Sequence, residues 1–143
     1  MTGVAHDPPA RLVGAILVER GRILLGLRAS HRRSCPGCWD VIGGHVEAGE
    51  SSIAALAREL GEEIGVTSIR PVALRTLVID DAVDGNVRLD LFLVHDWAGM
   101  PSIANDEHVD LRWFYPRDAA RLPNLALPEY HAVFSDLRDL AAP

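Results

Sequence analysis

Two dense apolar runs open this chain before any helical spacing appears. Residues 11–19 are rich in Val, Ile and Leu and predict a strand. Arg20-Gly21 reads as a turn, and residues 23–27 return as a second strand. A loop over 29–38 follows, and residues 39–46 predict a short buried strand interrupted by Gly43-Gly44. The period then changes. Ile53, Leu56, Leu60 and Ile64 recur at helical spacing and mark one face of a helix. Ser51 or Ser52 supplies its N-cap, and Gly65 stands where a glycine stops a helix. Strands return over 69–79 and 87–94, with Asp84-Gly85 between them as a hairpin signal. In the second of these, Val87, Leu89, Leu91 and Leu93 alternate with Arg88, Asp90 and Phe92, which predicts one buried face. A strand over 111–115, a short helix over 116–121 and a helix over 129–140 complete the chain. Many strands, one central helix and one terminal helix predict an α+β chain, with a mixed sheet packed between helices.

Composition narrows the class. A length of 143 residues suits a single domain over 1–143, with residues 1–10 a polar, flexible tail. The net charge of -6 provides no global basic field for a nucleic-acid backbone, so no stable nucleic-acid partner is expected. A polyanionic substrate would need local arginines or bound cations. The longest apolar run near the N-terminus, residues 12–18, is too short to span a bilayer. Asp7, Pro8 and Pro9 precede it rather than a basic segment, so no signal peptide is expected. Two cysteines are too few for a disulfide scaffold. The expectation is a soluble cytoplasmic protein with no membrane partner, a monomer or homodimer.

The central helix carries the chemistry. With Glu59 at zero on a helical wheel of about 100° per residue, Glu62 falls near -60° and Glu63 near +40°. The apolar residues centre about a quarter turn away, so a carboxylate stripe is expected beside the packing face. A solvated acidic face would explain such a stripe, because like charges at this spacing cost only about 0.2–0.5 kcal/mol in water. The preceding turn, Gly43-Gly44-His45-Val46-Glu47-Ala48-Gly49-Glu50, favours a second reading. Glycines admit close backbone approach, so a carbonyl oxygen and the Glu50 carboxylate can converge on the helical acids. Hard divalent cations take such oxygen ligands and share them with phosphates.

Gly44, Glu50, Arg58, Glu59, Leu60, Glu62, Glu63, Gly65 and Val66 fill every defined position of the pattern G-x5-E-x7-R-E-U-x-E-E-x-G-U, where U is bulky and aliphatic. The chain thereby resembles the Nudix hydrolases, and the order of predicted elements is similar to that family's α/β/α sandwich. The resemblance implies cleavage of a nucleoside diphosphate linked to another group, with Mg2+ or Mn2+. By position it makes Glu59, Glu62 and Glu63 metal-binding and catalytic carboxylates, with Gly43 offering a backbone carbonyl to the metal. Arg58 and Glu50 would orient the acids by ion pairing. The proton of the attacking water would go to Glu59 or to Glu107, an extra acid in the loop before the strand of Trp113. For Glu107 a solvated loop residue is the alternative.

The substrate is less legible. ADP-ribose-cleaving members tend to carry a proline about fifteen residues beyond the box, and dinucleoside-polyphosphate members a tyrosine slightly further on. Asp80-Asp81-Ala82-Val83-Asp84 contains neither. The compact length resembles MutT-type members acting on nucleoside triphosphates, oxidised purines included. The alternatives are a catalytically silent nucleotide-binding module, a hydrolase of another substrate class such as a sugar nucleotide, and an isopentenyl-diphosphate isomerase. Arg28, His31, Arg32 and Arg33 cluster on the loop entering the box strand and suit phosphate, or form a solvated basic loop. Asn124 is a candidate for reading the base. Trp39 and Trp113 sit in apolar strand patterns and are expected in the core rather than stacked on a base.

Cys35-Pro36-Gly37-Cys38 invites a zinc or redox reading. A structural zinc site needs four ligands, and no second cysteine pair exists. A thioredoxin-like pair sits at a helix N-terminus, whereas Cys38 runs into a predicted strand. The run is therefore expected to be a loop-to-strand turn with incidental cysteines.

Overall fold

The computed structural model describes residues 10–81 and 85–137. Residues 1–9, Asp84 of the hairpin signal with Ala82 and Val83, and the last residues of the expected terminal helix lie outside the described residues. In chain order the elements are β1 (Ala10–Glu19), β2 (Arg22–Arg28), β3 (Trp39–Asp40), β4 (Ile42–His45), α1 (Ser52–Ile64), β5 (Pro71–Asp81), β6 (Gly85–Val94), β7 (His108–Phe114), α2 (Pro116–Ala119) and α3 (Tyr130–Asp136).

The sheet is mixed, as expected. β1 runs parallel to β6 from Ala10 to Leu17, and every other pairing is antiparallel. The other edge of β1 is shared. Leu12 to Ala15 pair with β4, and Val18 and Glu19 pair with β2. β2 in turn pairs with β3 and β7, and β5 closes the far side on β6.

Strand alternation sends the two faces of β1 into two cores. Val13, Ala15 and Leu17 pack under α1 with Leu24, Ile42, Phe92 and Val94. Ile16 and Val18 pack on the opposite face with Leu25, Trp39, Leu89, Leu91 and the α3 residues Tyr130, Val133 and Phe134. The sheet is thus sandwiched between α1 and the α2–α3 pair. β6 differs from the pattern expected of it. Phe92 and Val94 are buried as well as Val87, Leu89 and Leu91, because the strand is central and covered on both faces.

The strand expected over 39–46 breaks at Val41, not at the glycines. β3 belongs to β2 and β4 belongs to β1, so the chain changes neighbours between them. The Asp40 carboxylate accepts the Val41 N–H at 2.8 Å and so satisfies a donor at the crossing. Gly43 and Gly44 stay in the ladder opposite Gly14 and Val13. Ser51, not Ser52, caps α1, accepting the Ala54 N–H at 3.1 Å, and Gly65 ends it at φ 69°. Among the described residues no helix is long and apolar enough to cross a membrane.

Candidate active site

The helix packs differently from its apolar spacing. Ala55, Leu56, Glu59, Leu60, Glu63 and Ile64 form its buried face, while Ile53 is 45% exposed. Two of the glutamates therefore lie inside the packing face, not beside it. Ile53 sits in the first turn, where it escapes the cover that the later turns receive. Glu62 stays in solvent, its side chain 57% exposed.

A glycine makes room for the first buried acid. A Cβ on Gly44 would stand 2.6 Å from Glu59 Oε1, so only a bare backbone lets that carboxylate lie against β4. Gly43 answers a different need: a Cβ there would run into the backbone carbonyl of Val13 in the paired strand.

Glu107 reaches the same point from a distant segment. The last carbonyls of α1, which have no partner within the helix, accept N–H groups from the 102–104 stretch. Ala104 N donates to Glu63 O at 2.9 Å and Ser102 N to Ile64 O at 3.1 Å. From β2's end, Ala29 N donates to Glu107 O at 2.9 Å, and β7 starts at His108 rather than at 111. Glu59, Glu63 and Glu107 so converge, each offering an oxygen within 4.8 Å of the others.

The electrostatics follow from the crowding. Glu63 is 2% exposed, and burial, then its hydrogen bond and repulsion with Glu107, then Glu59, push its pKa far up. Glu107 is drawn down by that same hydrogen bond and by Arg32. The shifts run in opposite directions because two carboxyls this close, one of them buried, resist carrying a charge each. Glu63 Oε2 has no hydrogen-bond partner. His108, buried at 5% exposure, turns Nδ1 towards Glu63 Oε1 at 3.6 Å, also without a hydrogen-bond partner, and burial lowers its pKa. Three converging carboxylates and an orphaned buried oxygen fit a hard divalent cation.

Arg58 braces this corner. It grips Glu50 through two contacts, Nε to Oε2 at 2.8 Å and Nη2 to Oε1 at 3.0 Å. It also reaches Glu59 Oε1 at 3.0 Å, the His45 carbonyl at 3.0 Å and Glu62 Oε2 at 3.4 Å. The Arg58 guanidinium, with the Glu47 N–H, holds the Glu50 carboxyl down to about 2, and Glu50 in turn raises the Arg58 pKa.

A cavity of about 380 Å³ opens beside the acids. Gly43, Gly44, Glu63 and His108 line it, together with the aliphatic side chains of Leu12, Leu89 and Leu127. Of the arginines expected to meet substrate, Arg28 and Arg32 border it and Arg33 does not. Arg28 is already engaged, with Asp40 Oδ2 at 3.0 Å and with the Ser34 carbonyl and hydroxyl. Arg32 makes one loose pair, Nη1 to Glu107 Oε2 at 3.5 Å, and Nη1 lacks a hydrogen-bond partner. Asn124 does not border the cavity, and its amide donates to the Gly37 carbonyl at 2.9 Å. His31 is exposed, 3.7 Å from Asp106. Trp39 lies in the core, edge-on to Phe114, and Trp113 stacks on Trp97.

Sequence reasoning passed over His108, Asp40 and Tyr130. Tyr130 OH donates to Asp40 Oδ1 at 2.7 Å, tying α3 to the cavity wall. Only Glu107, already a candidate, drew attention to the loop holding His108. Nothing in the local pattern marked Asp40 or Tyr130.

A mixed sheet between helices, with two acids of α1 and one from the segment before β7 meeting beside a glycine strand, suits cation-assisted chemistry on phosphates. The NUDIX domain model matches residues 8–136, and the chain belongs to the Nudix hydrolases, enzymes acting on phosphoric anhydrides. It is 36% identical over 104 residues, 72% of each chain, to a Mycobacterium tuberculosis protein named provisionally as 8-oxo-dGTP diphosphatase 2. It is 34% identical to the CTP pyrophosphohydrolase of Escherichia coli over 113 residues, 78% of this chain and 80% of that one. The crystal structure of a MutT NUDIX hydrolase from Burkholderia pseudomallei superposes with a TM-score of 0.78 at 30% identity, covering 90% of this chain and 98% of the other.

Proposed function

We propose that this enzyme hydrolyses (deoxy)nucleoside triphosphates, oxidised forms included, to monophosphate and pyrophosphate with Mg2+ or Mn2+, in the cytoplasm. One observation carries the reading: the Glu59–Glu63–Glu107 cluster adjoins, through Glu63, a cavity that Arg28 and Arg32 also line. The names of the Mycobacterium and Escherichia relatives support the substrate class.

In this reading Glu59, Glu63, Glu107, the exposed Glu62 and the Gly43 carbonyl hold the cation. When bound, the cation supplies positive charge that polarises the phosphoryl oxygens and makes a water more acidic. The rest is done by the chain. Glu59 or Glu107 takes the proton of the attacking water. Arg58 and Glu50 hold Glu59 in place. Arg32, rather than Arg33 or Asn124, meets the phosphates, because its guanidinium has donors to spare.

The test is a panel of canonical and oxidised nucleoside triphosphates, sugar nucleotides, dinucleotides and capped RNA, with products identified. The expected result is monophosphate plus pyrophosphate from the triphosphates, with Glu59→Gln falling about 10²–10⁴-fold in kcat. Turnover confined to sugar nucleotides or dinucleotides would replace the substrate class.

A further inference from the structure

The two cysteines lie outside the carboxylate site, and both are free. They stand at the two ends of a four-residue turn. Pro36 fixes its second position near -65°, Gly37 holds its third at φ 73°, and Cys38 N donates to Cys35 O at 3.3 Å. That is a type II β-turn, which keeps its first and last Cα atoms within about 7 Å. A disulfide spans Cα atoms about 4.4–6.8 Å apart. A turn of this type holds its two end residues close enough for such a bridge. The thiols already feel each other: burial first, then the Cys35 side chain, raises the Cys38 pKa.

The pair is asymmetric. Cys35 is exposed and Cys38 half-buried, so Cys35 is the more open of the two to an oxidant. Cys35 also occupies φ 44°, a left-handed conformation uncommon outside glycine. Its neighbours fix that conformation. Arg28 donates to the Ser34 carbonyl at 2.9 Å and the Ser34 hydroxyl at 3.0 Å, and Asn124 donates to the Gly37 carbonyl. Cys35 borders the cavity, and its Sγ donates to the Ala126 carbonyl at 3.2 Å. Ala126 and Leu127 border the same cavity.

We propose that Cys35 and Cys38 form a reversible intramolecular disulfide, which makes this turn an oxidation site on the rim of the substrate cavity. The oxidant class is a hydroperoxide. The Cys35 thiolate attacks a peroxide oxygen, the O–O bond breaks, and Cys35 becomes a sulfenic acid as the first water leaves. The Cys38 thiolate attacks that sulfur, the S–S bond forms, and the S–O bond breaks to release the second water. Two thiols lose two protons and two electrons, and one hydrogen peroxide becomes two waters. A disulfide sulfur has no proton to donate, so the tie from Cys35 to Ala126 is lost and the rim loosens. The acids are untouched, so KM rises while kcat holds. Only this kinetic consequence rests on the proposed hydrolase activity. The disulfide itself does not.

The test treats the reduced full-length chain with stoichiometric hydrogen peroxide and reads intact mass and free thiols after alkylation. The expected product is two hydrogens lighter, has no free thiol and reverts with dithiothreitol, whereas Cys38→Ser never yields it. Wild-type protein that keeps both thiols, or carries separate sulfinic acids, would overturn the proposal. The mass readout needs no substrate, so its failure is distinct from failure of the hydrolase reading. In the second arm, reduced Cys38→Ser and reduced wild type turn over nucleotide alike. Oxidation raises the wild-type KM roughly fivefold, one neutral hydrogen bond's worth. An unchanged KM in fully disulfide-bonded enzyme would sink the link to the cavity.

Discussion

Arg58 and Arg32 each stand beside a carboxylate of the acid cluster, and they are held in opposite ways. At the β4–α1 corner, Arg58 spends its donors on Glu50, Glu59 and the His45 carbonyl. In the 29–38 loop, the Arg32 side chain has, among the described residues, only the 3.5 Å pair with Glu107. A saturated guanidinium fixes its neighbours, and an unsaturated one keeps hydrogen-bonding capacity for a ligand. The corner is a braced frame for acids, whereas the loop is the side of the cavity left open to substrate.

The hardest way to break the frame is through its glycines. Gly44→Ala forces the Glu59 carboxylate off β4, and a displacement of about 1 Å costs on the order of 100-fold in rate. The fold gives little, because the clashing atoms are the free end of a side chain. Gly43→Ala clashes with the Val13 backbone instead and loses about 1–3 kcal/mol of stability, read by urea unfolding. Full activity in Gly44→Ala would show that Glu59 is not held where the frame requires it.

The arginines themselves sharpen the contrast. Arg32→Ala should raise KM about tenfold and leave kcat within about twofold, since a phosphate contact shared by ground and transition states acts on binding. Arg58→Ala should lower kcat instead, by freeing Glu59. Steady-state kinetics on the triphosphate decides it. The same effect on both constants in both variants would erase the difference between frame and loop.

The smallest effect is a pH slope in metal-free protein. Glu63 has a folded pKa raised above its ordinary 4.5, so the folded chain keeps a proton that the unfolded chain releases. Its contribution is full below that value and is lost as pH rises towards the folded pKa. His108 works oppositely: its pKa falls below 6.5, so its contribution is present above that pH and lost as pH falls. Above about pH 7 Glu63 gives the main slope, because Cys38 and Tyr130, whose pKa values are also raised, add theirs only nearer their ordinary values of 9.0 and 10.0. Chelator-treated protein should lose at most about 1.4 kcal/mol of stability per pH unit there. Urea titrations at about pH 7 and 8.5 would measure this, and Glu63→Gln should flatten the slope. A slope of the same size in the variant would place the proton elsewhere.

What could be read along the chain was what is contiguous in it. The strand–turn–helix from Gly44 to Val66 is local, so its spacing alone pointed to the family, a serine cap at 51 or 52 and the Gly65 stop. The mixed sheet was legible for a similar reason, since alternation and turn residues act over a few neighbours. The two-sided cover of β6 was not, because alternation cannot say how many layers will pack on a strand.

The site's chemistry was settled elsewhere. A helix has no burial pattern of its own, and what packs on it decides which residues lose water. Thus Glu59 and Glu63 went under cover while Ile53 stayed out. Glu107 and His108 met Glu63 only because the carbonyls left over at the end of α1 captured the 102–104 stretch. Arg28 and Asn124 looked available in sequence and are occupied in space, by Asp40 and Ser34 and by the Gly37 carbonyl. The sequence by itself determined the helix, its acids and the turn at Cys35. Tertiary structure decided which acids are buried together, which arginine keeps donors to spare and which sulfur faces the cavity, because charge, proton affinity and hydrogen-bonding capacity depend on neighbours that the chain supplies from far along its length.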